Sequence, residues 1–176
     1  MPHLLEPAAT GRAKCRGCNE RIAAGTLRFG ESLPNPFGEG DAVHWFHVDC
    51  AAYKRPEPFL EVLEARAEPL EDAERLAAEA RLGIAHRRLP RANGAERARS
   101  ARAQCRSCRS NIEKDAWRIS LVFYEDGRFE PSGFIHVRCA QAYFETIEVL
   151  PRLRHFSPGL SDEDLRQLEA ELHQPQ

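Results

Sequence analysis

Residues 11–18 read GRAKCRGC and residues 101–108 read ARAQCRSC, nearly the same arginine-led Cys-x-x-Cys phrase placed ninety residues apart. The repetition continues downstream. His47 and Cys50 return as His136 and Cys139, and Leu70 of PLEDAERLAAEA returns as Leu160 of GLSDEDLRQLEAEL. Anchors that keep nearly one period through 176 residues mark a duplication. The expected organisation is a first module over residues 1–85, a basic linker over 86–100 and a second module over 101–176. The linker reading rests on HRRLPRANGAERARSAR, where Pro90, Asn93-Gly94 and many arginines interrupt any apolar period.

Each module runs strand-like and then helical. TLRFGESL and WRISLVFY are rich in strand formers, and AVHWFH and SGFIHV read as short return strands. VDCAAYK and VRCAQAYFETI then start helices. PLEDAERLAAEARLG reads as a helix with Gly83 near its end, and Ser161 with Asp164 as the N-cap of a last helix, DEDLRQLEAEL. The fold class expected is a tandem pair of small α+β zinc-stabilised modules, each a short antiparallel sheet plus helices. Modules of this size bury little apolar surface, so a second source of stability is required.

All six cysteines fall into two sets of the form Cys-x-x-Cys, a long gap, then His-x-x-Cys. Cys15, Cys18, His47 and Cys50 form one set; Cys105, Cys108, His136 and Cys139 form the other. Three thiolates and an imidazole make a closed tetrahedral zinc site, with no position left for a reacting water. The expectation is two structural Zn2+ ions per chain, whose binding free energy is folding free energy. A redox Cys-x-x-Cys would sit on a βαβ unit, and iron–sulfur sites are usually all-cysteine. A zinc deaminase would carry His-x-Glu and Pro-Cys-x-x-Cys, and neither occurs. His44 lies three residues before His47, but its counterpart is Gly133, so His44 reads as a neighbour of the site, not a ligand.

Charged residues make up 30% and hydrophobic residues 42% of the chain, which excludes a disordered chain. A formal net charge of -2 excludes a uniformly basic coat protein. The charge is segregated, however. Arg97, Arg99, Arg102, Arg106 and Arg109 crowd one stretch, Arg12, Lys14, Arg16, Arg21 and Arg28 another, and acids collect in 57–79 and 161–171. MPHLLEPAAT has no charged and then apolar start, and no run is long enough to span a bilayer. The location expected is a bacterial cytoplasm or nucleoid, or a eukaryotic nucleus, without secretion or membrane contact. Thiols stay reduced there.

The stretch GRAKCRGC…LRF…VHWFHVDC resembles the zinc finger of poly(ADP-ribose) polymerases, the PARP-type finger, a family that includes the nick-sensing finger of a nuclear DNA ligase. The likeness lies in the Cys-x-x-Cys spacing, the Gly-Arg-Ala lead-in, the His-Trp-aromatic-His run ending in Cys, and the GLSDED helix start of the second module. It implies a compact α+β finger that recognises DNA strand breaks by structure, in DNA repair or damage sensing. On that likeness Arg12 and Arg28, with Arg102 and Arg118 in the second module, take phosphate-contacting places. Phe37, in NPFGEGD, sits in the loop whose apolar tip stacks on an exposed base. The second tip falls on Phe123, Tyr124 or Phe129, with Phe129 preferred. The likeness covers no polymerase or ligase catalytic segment, so the reading is a non-enzymatic one. Its partners would be broken DNA and the DNA repair enzymes recruited there. Structural roles compete with these: Arg28 and Arg118 paired with the acidic helices, and Phe37, Trp45 and Phe134 in the core. Two other functions compete as well, a zinc-stabilised protein–protein adaptor and a binder of structured RNA.

Overall fold

The computed structural model describes residues 1–175. It divides into two compact units, Met1–Ala85 with Asp126–Arg128, and His86–Glu125 with the chain from Phe129 onward. The first contains β1 (Leu4–Pro7), β2 (Leu27–Pro34), β3 (Asp41–His47), α1 (Val48–Lys54), α2 (Pro56–Ala65) and α3 (Ala73–Ala85). Its sheet has the order β1-β2-β3 and is antiparallel, with Arg28 opposite both Glu6 and His47. On the inner face of the sheet Phe29 of β2 packs against Phe46 of β3 and Phe59 of α2, meeting Phe59 edge to face at 5.7 Å. Ile22, Leu76 and Ala80 complete that core. Pro56 opens α2, where a missing N–H costs nothing. The joint between α1 and α2 is tied to the sheet by Arg55, which donates two hydrogen bonds to the buried Glu31 carboxylate at 2.8 and 2.5 Å.

The second unit repeats the plan. A 3-10 turn (Leu89–Arg91) leads into β4 (Ala92–Arg97), followed by β5 (Trp117–Glu125), β6 (Arg128–His136) and a 3-10 turn at Val137–Cys139. Helices α4 (Ala140–Phe144), α5 (Leu150–Phe156) and α6 (Asp162–Leu172) complete it. The sheet order is β4-β5-β6. Ile112, Ile119, Leu121, Ile135, Phe144, Leu153 and Leu168 form its core. Helix α6 starts in a capping box: Asp164 N donates to Ser161 Oγ and Ser161 N to the Asp164 carboxylate. Trp117 Nε1 donates to Gln167 Oε1 at 2.9 Å, which fastens α6 to β5.

The expected fold class is the fold found, two antiparallel sheets with helices and a metal-ligand set in each unit. The stretch expected as a linker is a correction. Residues 89–97 form the 3-10 turn and β4, the first strand of the second sheet. Asn93-Gly94 is not a reversal of the chain but a step in that strand. The pairing register shifts between Ala92 and Ala95, with Gly94 at φ +103°, a conformation that favours glycine. Ser157, at the end of α5, closes the outer edge of β4: its Oγ accepts from Ala95 N at 3.0 Å and donates to Ala95 O at 3.2 Å.

Candidate metal centres and nucleic-acid face

Each cluster is assembled from a turn and a strand-to-helix junction. In the first unit the Cys15–Cys18 turn is closed by Asn19 N donating to Cys15 O, with Asn19 at φ +65°. His47 ends β3 and Cys50 lies in α1. The four ligand atoms lie within 4.8 Å of one another, and the same holds for Cys105, Cys108, His136 and Cys139. Cys18 Sγ is 3.4 Å from His47 Nδ1, and Cys108 Sγ is 3.4 Å from His136 Nδ1. The other ring nitrogen of His47 points at Arg21 O, 3.3 Å away, which assigns the proton to Nε2 and leaves Nδ1 to ligate. Cys15 Sγ accepts from the backbone N–H of Gly17 and His47, both at 3.3 Å, as a thiolate would. In the second unit Cys105 Sγ takes the same bonds from Ser107 and His136.

Three thiols this close cannot all ionise without a cation. Hydrogen bonds from Cys18 and Cys50 lower Cys15 to about 3, while Cys50, donor to both partners and buried, is pushed far above the ordinary thiol range. Cys139 is raised to about 12 by burial and then by the charge of Cys105. A divalent ion relieves this conflict, and a Cys3His donor set closes the tetrahedron. The residues fit Zn2+ at both sites, as two structural ions. Lys54 adds a charge that motif reading missed. It is 2% exposed and donates from Nζ to Gly17 O, inside the Cys15–Cys18 turn, at 2.9 Å. Burial lowers its pKa to about 8, against the upward pull of the nearby thiolates.

The arginines fall into two classes. Arg12 and Arg102 are exposed ahead of their cysteine turns. Arg28 and Arg118 are nearly buried and built alike. Arg28 lies 3.5 Å from the Trp45 ring centroid and 3.3 Å from Glu6 on β1. Arg118 lies 3.6 Å from the Phe134 ring centroid and 2.9 Å from Glu96 on β4. The acid partners are thus on the sheets, not on the acidic helices. Trp45 and Phe134 are half-buried platforms for a guanidinium. Sequence reading missed Glu6 and Glu96; their ninety-residue spacing was the available signal.

The aromatic candidates also part. Phe37 is 90% exposed, which removes it from the core, and its N–H is turned onto Asn35 Oδ1 at 3.0 Å. Phe129 is half-buried, with its ring 4.7 Å from that of Tyr124, and Phe123 is 45% exposed beneath Arg91. Loop length is the physical cause. The first hairpin has a loop of 35–40, closed by Asn35 N donating to Gly40 O. The second turns at Asp126 and Gly127, both at positive φ, which leaves Phe129 back in the strand beside Tyr124 and not at a tip.

Among the described residues no helix is long and apolar enough to cross a membrane. Residues 6–86 match the family model described as the poly(ADP-ribose) polymerase and DNA-ligase Zn-finger region. A poly [ADP-ribose] polymerase of Sarcophaga peregrina is 31% identical over 143 residues, 71% of this chain and 14% of that protein. The poly [ADP-ribose] polymerase 1 of Gallus gallus is 30% identical over 133 residues, 68% of this chain and 13% of that protein. A polynucleotide 3'-phosphatase of Arabidopsis thaliana is 25% identical over 183 residues, 89% of this chain and 26% of that protein. The chain thus spans between about an eighth and a quarter of these curated relatives. The matched region is a zinc finger and not a catalytic domain. With their ligand set, their sheet and the matched family model in agreement, residues 6–86 form a PARP-type zinc finger, and the second unit carries the same Cys3His set.

Proposed function

We propose that this protein is a non-enzymatic, zinc-dependent sensor of DNA strand breaks. Phe37 carries the reading: a phenylalanine 90% exposed at the tip of a hairpin whose base holds Arg28. β2 takes the chain about 20 Å from Arg28 to that loop, the rise of about six base pairs. Arginines at the hairpin base engage phosphates on the duplex while the tip covers the pair laid bare at a nick, gap or end. Intact DNA offers the same phosphates but no base face. Stacking on one base is worth about 1–3 kcal/mol, which sets the preference for broken DNA. Arg12 and Arg102 are free to make the first contacts. Arg28 and Arg118 must share their guanidinium groups with Glu6 and Glu96. Recruitment of DNA repair enzymes to the break, in a nucleus or nucleoid, completes the reading.

Binding to intact, nicked, gapped and blunt duplexes tests it. The wild type should prefer the broken forms, and Phe37→Ala should lose about tenfold on them while its affinity for intact duplex stays. Equal affinity for all four, with both zinc ions bound, rejects the proposal and leaves the adaptor reading; preference for a hairpin RNA leaves the RNA reading.

A further inference from the structure

The second unit holds a cavity of about 340 Å3 lined by Asn93, Glu96, Ser120, Val122, Pro131 and Phe134, among others. Its origin is visible in the duplication. In the first unit a Cβ on Gly30 would lie 2.7 Å from Cζ3 of Trp45 and 2.8 Å from Cγ1 of Val43, so the indole fills that space. The counterparts of Gly30 and Trp45 are Ser120 and Phe134, which lacks the second ring. On the other side, β1 pairs without a break, whereas β4 shifts register between Ala92 and Ala95. Both differences fall among the residues that line the cavity.

The lining has a definite chemistry. Val122, Pro131 and Phe134 give apolar walls, and Asn93, Ser120 and Glu96 bring oxygen atoms. Two guanidinium groups lie against residues of that lining. Arg118 lies on Phe134 and bonds Glu96, and Arg106 crosses Gly133, its Nε 2.8 Å from where a Cβ on that glycine would lie. The volume is at the small end of ligand pockets. Apolar walls suit a planar ring, acceptor oxygens suit its exocyclic amine, and the arginines suit a phosphate. We propose that this slot takes the base of one unpaired nucleotide at a DNA break, with its phosphate on Arg106 and Arg118. The second unit then selects breaks that carry an unpaired nucleotide. This rests on the break-sensing function above and specifies its substrate.

The test uses the zinc-loaded full chain and the 5'-monophosphate of 2-aminopurine deoxyriboside, followed by its fluorescence. Wild type should bind it saturably. The double variant Ser120→Gly/Phe134→Trp, which installs the residues of the first unit, should weaken binding about tenfold or more. Arg106 is exposed, so Arg106→Ala leaves the fold intact, and it should weaken the monophosphate but not the nucleoside. One unpaired nucleotide added to a blunt end should tighten binding by wild type and not by the double variant. Absence of saturable probe binding, or equal binding by wild type and both variants, overturns the slot. Preference for broken DNA without probe binding overturns the slot alone. Probe binding in the slot without any preference for broken DNA overturns the break-sensing function and leaves the nucleotide slot standing.

Discussion

Lys54 sits four residues after Cys50, and the same step from Cys139 reaches Tyr143. Three thiolates around Zn2+ carry a net negative charge, and a buried ammonium bonded into the Cys15–Cys18 turn offsets it. Replacing it as Lys54→Met orphans the Gly17 carbonyl and should cost about 1–3 kcal/mol. The first zinc should then be lost faster in chelator competition, with an earlier thermal transition; an unchanged release rate would remove Lys54 from the metal's support. In the second site Tyr143 instead holds Arg88 and Arg91, and Cys108 is exposed. The second ion should therefore leave first, in a two-phase release, with Cys108 the first cysteine alkylated; simultaneous loss of both would contradict this. The ligands themselves were readable, because eight residues at fixed spacing have one economical use. Lys54 was not, since a lysine on a helix carries no mark of burial until the opposing turn is in place.

At the scale of elements, β2, β3, β5 and β6 were legible from β-branched and aromatic runs, α3 and α6 from their end residues and apolar spacing, and α1 from its place after the return strand. β1 and β4 were not. LLEP is too short to show alternation, and ANGAER spells a turn. What makes them strands is tertiary: the central strand supplies hydrogen bonds, and an arginine on it supplies an ion pair to Glu6 or Glu96. Glu96 is partly exposed but Arg118 is nearly buried, so Glu96→Ala leaves a guanidinium short of its acceptor and should cost about 1–3 kcal/mol in denaturant unfolding. A larger loss would mean that the pair does more than hold the edge. Hairpin length could not be read from the sequence either, and it separates the two tips. Phe129→Ala should leave affinity for a nick within about twofold, while Phe37→Ala should not. Matching losses would show that the tight second turn also reaches the DNA.

The molecule as a whole is a duplication whose copies have diverged. One copy keeps a projecting phenylalanine and an ammonium beside its metal; the other keeps neither and has opened a cavity. A sequence scan sees the shared ligands first and the divergence hardly at all, because Trp45 against Phe134 looks conservative until the indole is seen to fill the space over Gly30. If arginines on phosphates supply most of the affinity, log K for nicked DNA should fall linearly with log salt, with a slope of about −0.9 per phosphate engaged. A flat response would point to another partner. Ser157 bears on how the protein is dissected. Its hydroxyl occupies both backbone groups of Ala95, so β4 is sealed against recruitment by a neighbouring chain. A fragment begun at Ala101, where the zinc motif invites the cut, forfeits that seal and bares the long flank of β5. It should precipitate or pair with itself, whereas a fragment begun at His86 should remain monomeric.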